Sequence, residues 1–424
     1  MTALDRTARI RLLMEKGVRI PLPDTVDIDA DVQLDRISGN GVVLGPGSRL
    51  SGKATLILDG ARIGEEGPAT VIDCHVGPGV VLGSGYFNAS VFLEGAKAGS
   101  GAHLRPVCIL EEHASIAHTV GMKQTILFPF VTLGSLINFC DCLMTGGTDK
   151  DNHSEVGSSF IHFNFTPNQD KATPSIMGNV PQGVMLNQPP IFLGGQGGVV
   201  GPCRIAFGTV TAAGSICRKD VVRHGQLVME GNHRRLSMPF TAGVYRQLRR
   251  PIRHNIDYLA NLIALRHWYF WVRARFMTQD GALQLWSGLM DRLSQAEDER
   301  IRRLAGLRDR MPASLERLEK ESGAPSDGPS TLMAQHHQFY DRWPAVREVL
   351  GRSANDMGDH RSRDALLASL ESAAGSGKTD YLSAIRALKP EAAANGTAWL
   401  ESIVAEVLTA ALAPLPLFRS RQNP

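Results

Sequence analysis

The hydrophobic pattern in the first half of the chain repeats on a short period. Leu127, Leu133 and Phe139 are six apart, and so are Val131, Ile137 and Leu143. Leu44 and Leu50 keep that spacing around a Gly-Pro-Gly turn, Val76 and Leu82 keep it around another, and Ile63-Gly64 fits the same phrase. Farther on, Leu193, Val199 and Ile205 are six apart, and Val210 and Ile216 resume the spacing in a shifted phase. An aliphatic residue at every sixth position, with small residues and glycine between, predicts a parallel β-helix of hexapeptide rungs. Each rung makes one short strand and one turn, the aliphatic side chain stacks on its copy a coil away, and glycine suits corners that need φ > 0. The competing β-sandwich would need strands of ~5–6 residues joined by hairpins, and the period here is too short and too regular for that. Segments 51–62 and 84–104 fit the phrase poorly. The longest departure, 145–190, is polar and rich in Pro and Gly, and loops that leave one face of a solenoid mark its functional face.

From Thr241 the period becomes helical. Tyr245, Leu248, Ile252, Ile256, Leu259 and Ile263 are spaced by threes and fours. The pattern predicts helices within 244–277, 283–320 and 380–412, and a linker at 323–330, GAPSDGPS. The expected organisation is therefore an N-terminal segment over 1–24, a mainly β, left-handed parallel β-helix over 25–235, and an α-helical region over 241–424. Residues 246–275 carry seven arginines and one acid. That invites a membrane-surface or partner-binding helix, but the favoured reading is a helix that packs its aromatic face on the coil and leaves its arginines in water.

Composition narrows the classes. A net charge of +3 gives no case for nucleic acid as a partner. The N-terminus lacks a continuous apolar signal segment and no apolar run reaches the length of a membrane span, so a cytoplasmic protein with reduced thiols is expected. All six cysteines precede residue 218, and 32 of the 43 glycines lie in residues 1–240, which again separates the two halves. Cys140, Cys142, His153 and His162 match no standard zinc spacing, so no metal is expected. A Cys-x-Cys on a strand would point both thiols to one face. The segment GSGKT at 375–379 lacks the first glycine of a phosphate loop, which would fall at Ser372, and follows a helical pattern, so it reads as a connection between helices.

The rungs resemble the left-handed β-helix acyltransferases, most closely the acetyltransferase domain of bacterial N-acetylglucosamine-1-phosphate uridyltransferases. Leu104-Arg105-Pro106 and Ile109-Leu110-Glu111 are similar to that family's Leu-Arg-Pro-Gly and Leu-Leu-Glu, and Met122-Lys123 to its Met-Lys. Twelve residues after the lysine, the family's catalytic histidine lies in Gly-His-Leu-Thr-Tyr-Leu-Gly-Asp; this chain reads Gly134-Ser135-Leu136-Ile137-Asn138-Phe139-Cys140-Asp141. Phe163-Asn164-Phe165 resembles Cys-Asn-Tyr, and Lys171 aligns loosely with a lysine after it. Ile191 to Gly194 and Ala212 to Ser215 resemble the lining of an acetyl-CoA channel, closed by Lys219-Asp220-Val221. The resemblance implies a sugar phosphate or nucleotide sugar held by Arg105, Lys123, Asn138, Asn164 and Lys171. It implies acetyl-CoA or another acyl-CoA along Gly195, Ala213 and Lys219, and a homotrimer with sites between neighbouring prisms.

The residues themselves complicate that implication. Ser135 stands where the family has its base, and a serine hydroxyl cannot take an amine's proton near neutral pH. Either His118, His153 or His162 replaces the base, or the chain is a binding or structural β-helix that has lost it. Each histidine also has an ordinary reading as a satisfied loop or core residue. Residues 1–24 are too few for a nucleotidyltransferase domain, so uridylyl transfer is not expected of this chain.

Overall fold

The computed structural model describes residues 5–164, 166–231, 237, 239–322, 330–351, 357–374 and 380–419. Phe165, nearly all of the 323–330 linker and the GSGKT segment lie outside them. The β region is a parallel solenoid with three faces. The first face is a ten-stranded sheet from Val43–Leu44 to Leu227–Val228. The second runs from Asp27–Ile28 to Ile216–Cys217, and the third from Leu56–Ile57 to Arg204–Ile205. The second and third faces join because Gly121–Leu127 and Asn138–Met144 run through the corner between them. Every registered strand pair is parallel, as in Ser115↔Thr132 and Lys123↔Cys140.

The six-residue period is the interior stacking. Leu82, Ala98, Ile116, Leu133, Val156 and Leu193 follow one another in register along the first face and are buried. Leu104, Met122 and Phe139 do the same on the second. Val131, Leu133, Ile137 and Phe139 are all buried because the chain turns a corner at Gly134–Leu136 between the two pairs. On the third face, Cys74, Ser90, Cys108, Thr125, Cys142 and Ser175 are buried residues of similar small size, and Ser90, Cys108, Thr125, Cys142 and Ser175 occupy one register column. The cysteines are chiefly packing residues.

Three expectations change. Cys140 and Cys142 do not share a face: Asp141 between them has φ 59°, so the strand bends there, with Cys140 on the register column of Lys123 and Cys142 in the interior column. Among the described residues no His, Cys, Asp and Glu cluster suits a metal. The 145–190 departure is not one insertion. It contains the rung strands Glu155–Val156, Ile161–Phe163 and Ser175–Met177, and its loops leave from two different corners. Segments 51–62 and 84–104 form regular rungs despite their weak pattern.

The helices are α1 (Arg6–Lys16), which precedes the first rung, and α2 (Val180–Gly183), inside the solenoid. Then come α3 (Arg249–Trp271), α4 (Ala282–Asp309), α5 (Met311–Ser322), α6 (Thr331–Leu350), α7 (His360–Ala374), α8 (Tyr381–Arg386) and α9 (Pro390–Leu412). Helix α6 falls where no helix was expected, and α7 is the helical pattern that precedes GSGKT. Helices α3 and α4 lie on the third face and bury its outward column of Val91, Ile109, Ile126, Leu143 and Ile176. The arginine-rich stretch therefore departs from its favoured reading. Trp268 and Tyr269 do pack inward, but Arg273 is also fully buried. Its Nη2 is 2.7 Å from Glu111 Oε2, it also pairs with Glu112, and the Tyr269 hydroxyl donates to Glu111 at 2.5 Å. No described helix is long and apolar enough to cross a membrane.

Candidate functional site

The second face carries most of the candidate residues at its two edges, and its corners decide where each points. At the corner with the first face, the five coils that start from Ile116, Leu133, Val156, Leu193 and Thr211 repeat one phrase: an inward residue, a small residue, a corner residue, then a residue in left-handed conformation. His118, Ser135, Ser158, Gly195 and Ala213 are the corner residues of successive coils, followed by Thr119, Leu136, Ser159, Gln196 and Gly214 at φ 58°, 60°, 61°, 50° and 75°. The small residue is required. A Cβ on Gly134 would lie 2.8 Å from Ser158 Oγ, and one on Gly157 would lie 2.5 Å from the Gly195 nitrogen.

Stacking the corner residues one coil apart brings His118 Nδ1 to 2.8 Å from Ser135 Oγ. His118 is exposed and Ser135 half-buried, so the pair faces open space. With Nε2 protonated, Nδ1 accepts the Ser135 proton. Ser158 Oγ in turn accepts the Ser135 backbone N–H at 3.1 Å. The other two histidines go elsewhere. His162 points into the solenoid, 2% exposed, with Nε2 2.7 Å from Ser175 Oγ and its ring edge-on to Phe139. Burial pulls its pKa down to about 4. His153 is in the loop at the corner between the third and first faces, with Nδ1 2.7 Å from the Lys150 carbonyl.

The opposite edge of the second face gathers the charged candidates. Leu104 and Met122 pair in register and point inward, so the next residues, Arg105 and Lys123, emerge one coil apart on the outside, and Cys140 follows Lys123 in register. Arg105 Nη2 donates to Cys140 Sγ at 3.5 Å, and Cys140 Sγ donates to Asn138 Oδ1 at 3.1 Å. Burial, the first cause, pushes the Cys140 thiol pKa up, against the pull of Arg105. Asn138 is exposed in the middle of the face, between the Ser135 edge and the Lys123 edge. Asn164 joins the charged edge by donating to Asp141 Oδ2 at 3.0 Å.

Sequence reasoning missed the residue that fixes this edge. Arg300 of α4, 2% exposed, places Nη2 2.5 Å from Asp141 Oδ1. Nothing local in ERIRRLAGL distinguishes Arg300 from Arg302 and Arg303; only docking of α4 on the solenoid does. Lys171 is exposed on the loop after Asn164, and Lys219 is exposed at the charged edge, away from Gly195 and Ala213. Gly195 and Ala213 instead continue the Ser135 edge, and the Gly214 nitrogen donates to the Gly195 carbonyl at 2.9 Å. The face thus has a cationic edge, a polar middle, and an edge with a Ser–His pair and a run of small residues leading from it.

Several curated proteins are similar to the solenoid. The chain is 28% identical over 212 residues to the bifunctional protein GlmU of Kineococcus radiotolerans, covering 50% of this chain and 38% of that protein. It is 27% identical over 237 residues to GlmU of Thermotoga maritima, covering 53% of this chain and 47% of that one. With GlmU of Thermus thermophilus it shares 32% identity over 153 residues, 36% of this chain and 31% of that one. The chain therefore spans less than half the length of these relatives. No protein-family profile matches it.

Proposed function

We propose that this chain, whose solenoid is a hexapeptide-repeat acetyltransferase region related to that of GlmU, is an acyl-CoA-dependent acyltransferase. Its acceptor is an amine or hydroxyl of a sugar phosphate or nucleotide sugar, and His118 is the base. The observation that carries this reading is the 2.8 Å contact between His118 Nδ1 and Ser135 Oγ, at the position where the resemblance puts a histidine. Arg105 and Lys123 supply a guanidinium fork and an ammonium on adjacent coils, a pairing suited to phosphate. Asn138 offers hydrogen bonds midway to the sugar. Gly195 and Ala213 leave room for an extended acyl donor along the edge that ends at Ser135.

In this arrangement the acceptor attacks the donor's thioester carbonyl, the new C–N or C–O bond forms and the C–S bond breaks. The acceptor's proton passes through the Ser135 hydroxyl to His118 Nδ1, and the thiolate leaves to be protonated. His118 thereby supplies the base that serine lacks, one coil away from its position in the family. The alternative, a binding protein without catalysis, draws support from the engagement of Asn164 with Asp141, whose other oxygen is taken by Arg300.

We further propose a homotrimer in the cytoplasm. Phe192, Val210 and Leu227 form a registered outward column on the first face, 40%, 38% and 64% exposed, which a neighbouring prism would cover. Light scattering tests the trimer; a stable monomer at micromolar concentration overturns it.

The catalytic reading is tested by acetyl-CoA turnover against a panel of amino-sugar phosphates. His118→Ala should lower the rate by about 10²–10⁴-fold, the usual worth of general-base catalysis, while His153→Ala should leave it unchanged. Equal rates for wild type and His118→Ala would sink the role of His118. Saturable sugar-phosphate binding without turnover would establish the alternative.

A further inference from the structure

The middle of the second face holds a flat slot that the fold itself does not require. Tyr86, His103, Gly121, Asn138 and Ile161 follow one another in register as an outward column on successive coils. The rings of Tyr86 and His103 are stacked, with centroids 4.9 Å apart and 18° between their planes. That separation matches the ~4.8 Å between neighbouring strands, so the stack runs along the solenoid axis from coil to coil. Asn88 Nδ2 donates to the Tyr86 hydroxyl at 3.0 Å and holds the first ring in place. Tyr86 covers one face of the exposed His103 ring. The coil on the other side contributes Gly121, which has no side chain to cover the opposite face.

Neither backbone conformation nor crowding explains a glycine at 121. Its φ lies outside the left-handed range, and the nearest atom to an added Cβ is the Ile137 carbonyl oxygen at 3.9 Å. Gly198, farther along the same column, is different: a Cβ there would lie 2.7 Å from the Phe163 ring. The gap over Gly121 spans two strand spacings, ~9.6 Å, from His103 to Asn138. One flat ring placed midway repeats the Tyr86–His103 step and falls within the ~4.5–7 Å centroid separation that aromatic pairs prefer. Beside the slot are the two cations of the charged edge. Arg105 and Lys123 lie two residues past His103 and Gly121 on the same coils, ~6.6 Å farther along the chain.

We propose that the slot takes the base of a nucleoside diphosphate sugar, a site that rests on the acyltransferase reading for its two cations and narrows the acceptor to a nucleotide sugar. The base stacks on His103 over Gly121, and the diphosphate lies on Arg105 and Lys123, whose charge complements it. The sugar then returns over Asn138 towards Ser135. Stacking needs only a π face, so the slot accepts a heteroaromatic ring without a dedicated set of hydrogen bonds.

The test is calorimetric titration of the full chain with UDP and with pyrophosphate, a diphosphate without a base. UDP should bind saturably and about ten- to a hundredfold more tightly than pyrophosphate, the usual worth of one base–aromatic stack. That preference should vanish in His103→Ala, which removes the platform, and in Gly121→Leu, which fills the slot. Pyrophosphate should bind both variants as it binds wild type, and circular dichroism checks their fold. Equal affinity of wild type for UDP and pyrophosphate, or a preference that survives in a folded Gly121→Leu, would overturn the proposal. Loss of CoA affinity in these variants with UDP binding unchanged would give the slot to the donor's adenine and overturn it as well. The expected UDP binding without any acetyl transfer would support the slot and defeat the acyltransferase reading; turnover of a sugar phosphate with no preference for UDP over pyrophosphate would do the reverse.

Discussion

The guanidinium of Arg300, on α4, lies 2.5 Å from the carboxylate of Asp141, at a solenoid corner 159 residues earlier in the chain. Both side chains are nearly inaccessible, at 2% and 9% exposure. The contact links the helical region to the charged edge of the candidate face, because Asp141 also accepts from Asn164. Truncating one partner of a buried pair leaves the other charge uncompensated. Arg300→Ala should therefore lower stability by ~3–5 kcal/mol, read as a drop in the denaturation midpoint. The double variant Arg300→Met/Asp141→Asn should recover much of that loss; a double variant as unstable as the single one would contradict this account.

Ser135→Ala separates a proton relay from direct attack on the proton by His118. If the hydroxyl carries the proton, the variant should lose most of the turnover that His118→Ala loses. Retention of wild-type turnover by Ser135→Ala, with loss in His118→Ala, would mean that the acceptor reaches the imidazole directly.

Lys123 is half-buried at the charged edge and has no short-range acid partner among the described residues. Lys123→Gln should raise KM for a phosphorylated acceptor by about tenfold while changing stability by less than ~1 kcal/mol. An unchanged KM would remove Lys123 from the phosphate site.

Gly157 tests the corner packing. Its φ is ordinary, so the obstacle to a side chain is space: a Cβ would come within 2.5 Å of the Gly195 nitrogen, a backbone atom that cannot swing away. Gly157→Ala should destabilise by ~1–3 kcal/mol, measured by urea denaturation. Gly214 also lies at a corner but has nothing near its Cβ position. Its φ of 75° still disfavours alanine, so Gly214→Ala should cost less, ~1–2 kcal/mol.

Stability should fall with acid in a window set by His162 and His75. Both are buried neutral, and burial lowers each pKa from 6.5 to about 4. Below pH 6.5 the unfolded chain binds protons that the folded chain refuses, so the stability conferred by the neutral rings is complete above that value and is lost progressively as pH falls towards about 4. The His162 share is of the order of 3 kcal/mol at the bottom of the window. His162→Gln should flatten the pH dependence of the unfolding free energy between those limits; an unchanged slope would show that another group carries it.

The sequence was sufficient for the solenoid because its rule is local. An aliphatic residue every six positions survives as Leu127, Leu133 and Phe139 wherever a rung is built, and each interior contact joins near-identical neighbours. In the structure the same regularity puts Arg105 and Lys123 on adjacent coils and turns the chain at Gly134–Leu136. Where the rule was obscured, the corners were the reason. Fourteen described non-glycine residues take φ > 0, among them Val107, Phe130, Leu136 and Asp141, so the glycine signal that marks a turn was missing. Asp141 in particular hid the bend that sends Cys140 and Cys142 in different directions. His118 was one of three equal candidates in the sequence, because no local pattern says that corner residues seventeen apart will touch. Only coil stacking brought it to Ser135, and only that stacking turned His162 inward. The helical half lay still further from legibility. Its periodicity announced several helices, but the third face is buried by α3 and α4 through partners more than a hundred residues away: Tyr269 and Arg273 on Glu111, Arg300 on Asp141. A buried arginine and an exposed one look alike along a chain, since the difference is made by the carboxylate that meets it after docking.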